Sequence, residues 1–293
     1  MNTTKNKYVI YTAMVGGYDE IMQPKVVDDR FDYILFSNDI QEKQIGVWLV
    51  RPIPYHNEDN TRICRYVKTH PEELLPGYEF SVWMDSNIQI ASSYVYDHAI
   101  KLYQRGTLFS SMCHPVRDCI YDEAFEVMFL RFEQEQTVVE WCRRLRKENY
   151  PEHNGLHETN VMFRKHNTSF VRETNVMWWD CIEKYSKRDQ LSFNYVLWKL
   201  GIECDCFLGK GFCVHNSNVF IYIEHKNIGK KLYPSSKNDS WLLRYCWKKH
   251  YKKEVVKRHY MRIYASFFPY FWIGLLGQYY RLKEFRRRWI RRH

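Results

Sequence analysis

Residues 8 to about 232 alternate short apolar runs with segments of helical spacing, and this alternation constrains the fold more than any other feature of the chain. The strand-like runs are KYVIYTAMV, FDYILFSND, IGVWLVRPI, YEFSVWMDS, TLFSSMC, TNVMFRK and NVFIYIE. RICRYVKTH, the stretch from Asp122 to about Asn149, and DQLSFNYVLWKLG read as helices; in the last, Leu191, Tyr195, Trp198 and Leu200 recur near a helical period. Strands alternating with helices predict an α/β fold built on a largely parallel sheet. The first four strands end in glycines or polar residues: Gly16 and Gly17 with Asp19, then Asp39, Arg51, and Asp85 with Asn87. In open α/β sheets ligands bind outside the carboxyl ends of the strands. Each ending alone is an ordinary turn, but four in ninety residues point to one shared cleft.

A chain of 293 residues, 45% hydrophobic and 17% aromatic, can bury a substantial core. No Pro/Ser/Gly-rich linker, low-complexity tract or repeat divides it. The N-terminus lacks the apolar stretch and cleavage site of a secretory signal, so export by that route is not expected. Nine scattered cysteines, without the paired C-x-x-C spacing of a structural zinc site, predict reduced, mostly buried thiols in a cytoplasmic protein.

Charge separates the chain into two regions. From Trp241 to His293 there are fifteen Lys/Arg against Glu254 and Glu284, a formal +13, which leaves residues 1–240 at −3 of the total +10. The tail also holds 18 uncharged, aromatic-rich residues from Ile263 to Tyr280. Pro269, Gly274 and Gly277 interrupt that block, and about 20 apolar residues are needed to span a bilayer. A basic amphipathic helical tail lying on an anionic membrane surface is the expectation, with a phosphate-binding nucleic-acid arm as the reading it displaces. The predicted division is 1–232 for the α/β domain and 233–293 for the tail.

Five segments carry candidate chemistry. Asp85 and Asn87, two apart at a strand end, offer hard oxygens to a divalent cation that carries a diphosphate. Arg62, Arg65 and Lys68 recur every three residues and share a helix face suited to a nucleotide diphosphate, or simply to solvent. His157 and Glu158 precede a strand and either orient an acceptor hydroxyl, act as a base, or sit in a surface loop. Asp189 and Gln190 open a helix, where Asp189 is an N-cap or part of a site. His215 and His225 flank the last strand, and either can close a metal site begun by Asp85. The chain has no GxxxxGK[ST], GxSxG, GxGxxG or HExxH, which argues against an ATPase, an α/β-hydrolase, a Rossmann dehydrogenase and the common zinc proteases.

Taken in order, YTAMVGGYDE, DYILFSND, RICRYVKTHP, YEFSVWMDSNI, FRKHN and RDQLSFNYVLWK resemble a glycosyltransferase-like family first catalogued as a domain of unknown function, whose members include plant mucilage-related and bacterial surface-polysaccharide proteins. The resemblance covers residues 8 to about 230 and leaves out the tail. It implies a GT-A-like, Rossmann-type mixed sheet flanked by helices and a nucleotide-sugar donor. It further implies a glycan or lipid-linked acceptor and Mn²⁺ or Mg²⁺ on Asp85, Asn87 and His225. Asn87 departs from the usual second carboxylate, which allows a metal-weak variant. By the same resemblance Thr12, Ala13 and Asp39 contact base and ribose, Arg62, Arg65 and Lys68 face nucleotide or phosphates, and Asp189 and Gln190 meet donor sugar or acceptor. The resulting expectation is a peripheral glycosyltransferase of surface-polysaccharide synthesis on the inner face of the membrane, able to form homo-oligomers and binding no nucleic acid. A non-catalytic nucleotide-sugar or glycan-binding module is the alternative.

Overall fold

A computed structural model describes residues 6–17 and 19–224. The predicted tail and His225 lie outside the described residues. Two compact units divide the chain: 6–115 with 157–224, and 116–156. No linker in the sequence marks the second.

The first unit holds one sheet of eight strands: β1 Tyr8–Ala13, β2 Phe31–Phe36, β3 Gln44–Ile45, β4 Trp48–Arg51, β5 Phe80–Met84, β7 Phe109–Cys113, β8 His157–Lys165 and β9 Asp205–Cys206. A small two-stranded sheet pairs β6 Ile88–Ile90 with β10 Phe220–Tyr222. The order in the large sheet is β3-β4-β2-β1-β5-β8-β7-β9. All five residues of β5 are buried and so are five of six in β1, the near-continuous apolar pattern of strands covered on both faces. Ile10, Leu35, Val82, Met84 and Phe163 pack in the core beneath them.

The sheet is more mixed than the alternation predicts. β3–β4, β5–β8 and β7–β8 pair antiparallel. The chain leaves the sheet at Cys113 and re-enters at His157, and these two residues are register partners. A strand that returns where its predecessor ended must run back along it. That pairing also skips: Ser111 faces Met162, but Met112 faces Glu158, so residues 159–161 have no register partner on β7. Irregularities of this kind re-aim side chains next to functional sites.

Helix α1 Asn60–Thr69 starts at Asp59, whose carboxylate accepts the Thr61 N–H. Short α2 Pro71–Leu74 and then α3 Tyr94–Gln104 follow, neither foreseen in the sequence. α6 Ser169–Lys184, likewise not foreseen, is capped by Thr168, and α7 Gln190–Leu200 ends at Gly201 in the left-handed region (φ 65°). The second unit carries α4 Ile120–Phe129 and α5 Glu135–Lys147 where one helix was expected. Arg131, at φ 65°, breaks the run between them.

One cysteine expectation is corrected. Cys113 and Cys206 are joined as a disulfide across β7 and β9, while Cys119, Cys142, Cys181 and Cys213 are buried free thiols.

Candidate active site at the end of the central strand

Strand β5 is the middle of the sheet and delivers Asp85 at its carboxyl end. Trp83, two residues earlier and so on the same face, donates its Nε1–H to Asp85 Oδ1 at 2.9 Å. The Asp85 main-chain N–H binds the Asn160 carbonyl at 2.9 Å, so the irregular part of β8 fixes the strand end.

Two cations approach that carboxylate from α1. Lys68 Nζ lies 3.7 Å and Arg65 4.0 Å from Asp85 Oδ1. Both are held more closely by Asp189, at the start of α7: Lys68 Nζ to Oδ2 at 2.6 Å and Arg65 Nε to Oδ1 at 2.9 Å. Thr159 adds its hydroxyl to the same Oδ2 at 2.7 Å. Lys68 and Asp189 are buried, with side chains 0% and 3% exposed, whereas Asp85 is 29% exposed. Burial alone would raise the Asp189 pKa, but the Arg65 and Lys68 charges outweigh it and hold the group well below the usual carboxylate range. Burial pulls Lys68 down, with Asp189 and Asp85 opposing. With an ionised Asp189 at hydrogen-bond distance, Lys68 keeps its proton.

The supporting contacts explain why α1 and α7 meet here. Tyr11 of β1 and Arg164 of β8 both donate to the Lys68 carbonyl, at 3.1 and 2.7 Å. Trp178 donates to the Asp189 carbonyl at 3.0 Å. Asp189 occupies the N-cap position its place in the sequence suggested, but its backbone is already helical and its side chain makes no cap hydrogen bond, turning to Arg65 and Lys68 instead.

Other predicted residues sit differently. Lys68 has no exposed surface, so its ammonium meets carboxylates rather than a ligand. Arg62 turns to Asp59 at 3.3 Å, alongside Lys187 at 2.8 Å, and away from the Asp85 group. Thr12 is buried with its hydroxyl unpartnered, and Ala13 is 5% exposed. The exposed Asp39 accepts the Gly16 N–H at 2.5 Å, tying the glycine turn after β1 to the end of β2. His157 is bound by Asn194 of α7, and Glu158 Oε2 faces Asn160 Nδ2 at 3.4 Å. Gln190 opens α7, half-buried.

The expected cation ligands fit a hard divalent cation in kind. Asn87 Nδ2 donates to the Ile223 carbonyl at 2.8 Å, which leaves its Oδ1 as the acceptor, and among the described residues the ionic contacts of Asp85 fall on Oδ1. Carboxylate and amide oxygens suit Mg²⁺ or Mn²⁺, although Lys68 and Arg65 weaken the pull of Asp85 on any cation. Among the described residues no group of three converging His, Cys, Asp or Glu includes Asp85. Asp19 and Glu224 are close enough, with Asp85, to add to the burial that raises the Tyr222 pKa. Sequence reading missed Trp83, Thr159 and Tyr222; only the two-residue spacing of Trp83 and Asp85 announced one of them.

Residues 1–225 match the family described as TOD1/MUCI70, glycosyltransferase-like domain. The chain belongs to the TOD1/MUCI70 glycosyltransferase-like family. That match bears out the family expected from the ordered motifs, and it places the Asp85–Asp189 cluster inside the domain that defines the family. No curated protein matches the chain. Among solved structures, the apo WbbM bifunctional glycosyltransferase is similar at 9% identity with a TM-score of 0.42, over 70% of this chain and 39% of that one. The chain thus spans about two fifths of that protein's length.

Proposed function

We propose that this TOD1/MUCI70 domain transfers a sugar from a nucleotide-sugar donor to a glycan or lipid-linked acceptor in surface-polysaccharide synthesis, with the donor diphosphate at the end of β5. The observation that supports this most is the pairing of a part-exposed acid, Asp85, with two cations, the buried Lys68 and the part-buried Arg65, both held by Asp189. Such a rigid set of charges suits a leaving group that gains negative charge as the bond to the sugar breaks. Arg65, 14% exposed, is the cation nearest to ligand reach. A bound Mg²⁺ or Mn²⁺ on Asp85 and Asn87 would neutralise charge on the departing diphosphate. Asp189 orients Arg65 and keeps Lys68 charged, and Gln190 beside it is the residue we assign to donor sugar or acceptor.

The test is calorimetry with UDP-, GDP-, CDP- and CMP-sugars, with and without Mn²⁺ or Mg²⁺, on wild type and Asp85→Ala. One donor class should bind, at least tenfold more weakly to the variant, a loss of about 1.4 kcal/mol. Sugar transfer to an added glycan then separates an enzyme from a binding module. Failure of every nucleotide sugar to bind would overturn the reading.

For the tail we propose docking on an anionic membrane surface, motivated by its +13 charge and aromatic block. Ending the chain at residue 232 should abolish co-sedimentation with vesicles containing phosphatidylserine. Retention of the shortened chain on those vesicles would refute it.

A further inference from the structure

A second cluster with metal-binding chemistry lies elsewhere on the same sheet. Cys113 ends β7, Cys206 ends β9 and His157 begins β8. The strand order β8-β7-β9 and the skipped register set Cys113 opposite His157 and Cys206 opposite Ser111. The two sulfurs and one ring nitrogen of His157 lie within 4.8 Å of one another. The cysteines are disulfide-bonded with Cα atoms 5.2 Å apart. A disulfide, however, gives no reason for the imidazole beside it.

The imidazole is built into the fold. His157 is 9% exposed, and Asn194 holds it from α7. Asn194 Oδ1 accepts the His157 main-chain N–H at 2.9 Å, and both polar atoms of the amide lie against Nδ1, at 3.1 and 3.4 Å. Nε2, by contrast, is buried and makes no hydrogen bond of normal geometry among the described residues, although the Cys204 main chain lies near enough to the ring to act on it. Buried polar atoms without partners are rare and call for a reason. A metal on Nε2 supplies one, because a ligating histidine directs its other N–H to a fixed acceptor, and Asn194 Oδ1 is placed to take the Nδ1–H.

We propose that the reduced protein binds a thiophilic divalent cation, Zn²⁺ by preference, through Cys113 Sγ, Cys206 Sγ and His157 Nε2, with water in the fourth position. Two thiolates and an imidazole are a soft donor set that favours Zn²⁺ over Mg²⁺ or Mn²⁺. Each thiol gives up its proton to solvent as its Zn–S bond forms. Cys113 and Cys206 are only part-buried, which leaves the ion a way in. The disulfide is the form of the same pair that has lost two electrons and two protons, and it excludes the cation.

The experiment uses the full chain, with the disulfide cleaved by a phosphine, which becomes the phosphine oxide, and the protein then stripped of metal. One equivalent of Zn²⁺ should remain per chain after dialysis, and Co²⁺ in its place should give thiolate-to-cobalt absorption. Cys113→Ser and Cys206→Ser should each lose the band, His157→Ala should bind at least tenfold more weakly, and Cys204→Ser should behave as wild type. Should the serine variants fail to fold, wild-type protein alone decides: Zn²⁺ should slow alkylation of Cys113 and Cys206 and leave Cys64 unchanged. Absence of bound Zn²⁺ in the reduced protein, or unprotected Cys113 and Cys206, would overturn the proposal and leave a structural disulfide only.

Discussion

Asp189→Ala is expected to lower the stability of the protein by about 3–5 kcal/mol, the loss seen when one partner of a buried ion pair is removed. The variant leaves Lys68, with no exposed surface, facing only Asp85 at 3.7 Å, and it orphans the Thr159 hydroxyl. Burial already pulls the Lys68 pKa down against the opposition of Asp189 and then Asp85. Without Asp189 it falls further, and the sign of the pH response follows. Between that lowered folded value and the unfolded value near 10.5 the unfolded chain binds the extra proton, so stability of the variant should rise with pH. Lys68→Met in the same chain should recover much of the loss, since a buried pair is often replaced by apolar residues at little cost. Urea unfolding at pH 7 and pH 9 reads both effects. Additive losses in the double variant, with no gain at pH 9, would show that Asp189 does not hold Lys68.

The second large effect is expected at Asp122, in the first turn of α4. It is 2% exposed and neither carboxylate oxygen has a hydrogen-bond partner among the described residues. Burial pushes its pKa up to about 7; His153 and Arg117 pull it back, and Asp118 and Glu152 add to the rise. The unfolded chain releases this proton near 3.8, so between those values only the folded state carries it. Stability contributed by the group is therefore full below about pH 4, lost as pH rises to about 7, and level above that. Three pKa units amount to about 4 kcal/mol. Asp122→Asn cannot titrate, and the difference in unfolding free energy between variant and wild type should change by about this amount from pH 4 to pH 8. A difference that stays constant over that range would exclude a buried, protonated Asp122.

Much of the fold was legible because a strand covered on both faces must be written in continuous apolar residues. β1, β2, β5 and β7 lie within the runs read as strands, while β8 starts two residues before its run and takes in His157 and Glu158, which were expected to precede it. The reversal of β8 was not legible, because strand direction depends on where the chain re-enters the sheet, and residues 116–156 intervene. The basic helix illustrates the same boundary at the scale of one turn. Spacing by three advances about 60° short of a full turn per step, so Arg62 lies about 120° around α1 from Lys68. That rotation carries Arg62 to Asp59 and Lys187, while Arg65 and Lys68 reach Asp189.

By itself the sequence determined the α/β alternation, the family, the polar strand end at Asp85 and the Asp189–Gln190 helix start, since each is a local pattern. Tertiary structure alone decided that the Asp189 side chain would neutralise the buried Lys68 and the part-buried Arg65 rather than cap its helix, because a buried ammonium needs a carboxylate more than a helix end needs a cap. It also decided that Cys113, His157 and Cys206 would meet. They come from three strands far apart in the chain, and only the order of those strands brings sulfur to nitrogen.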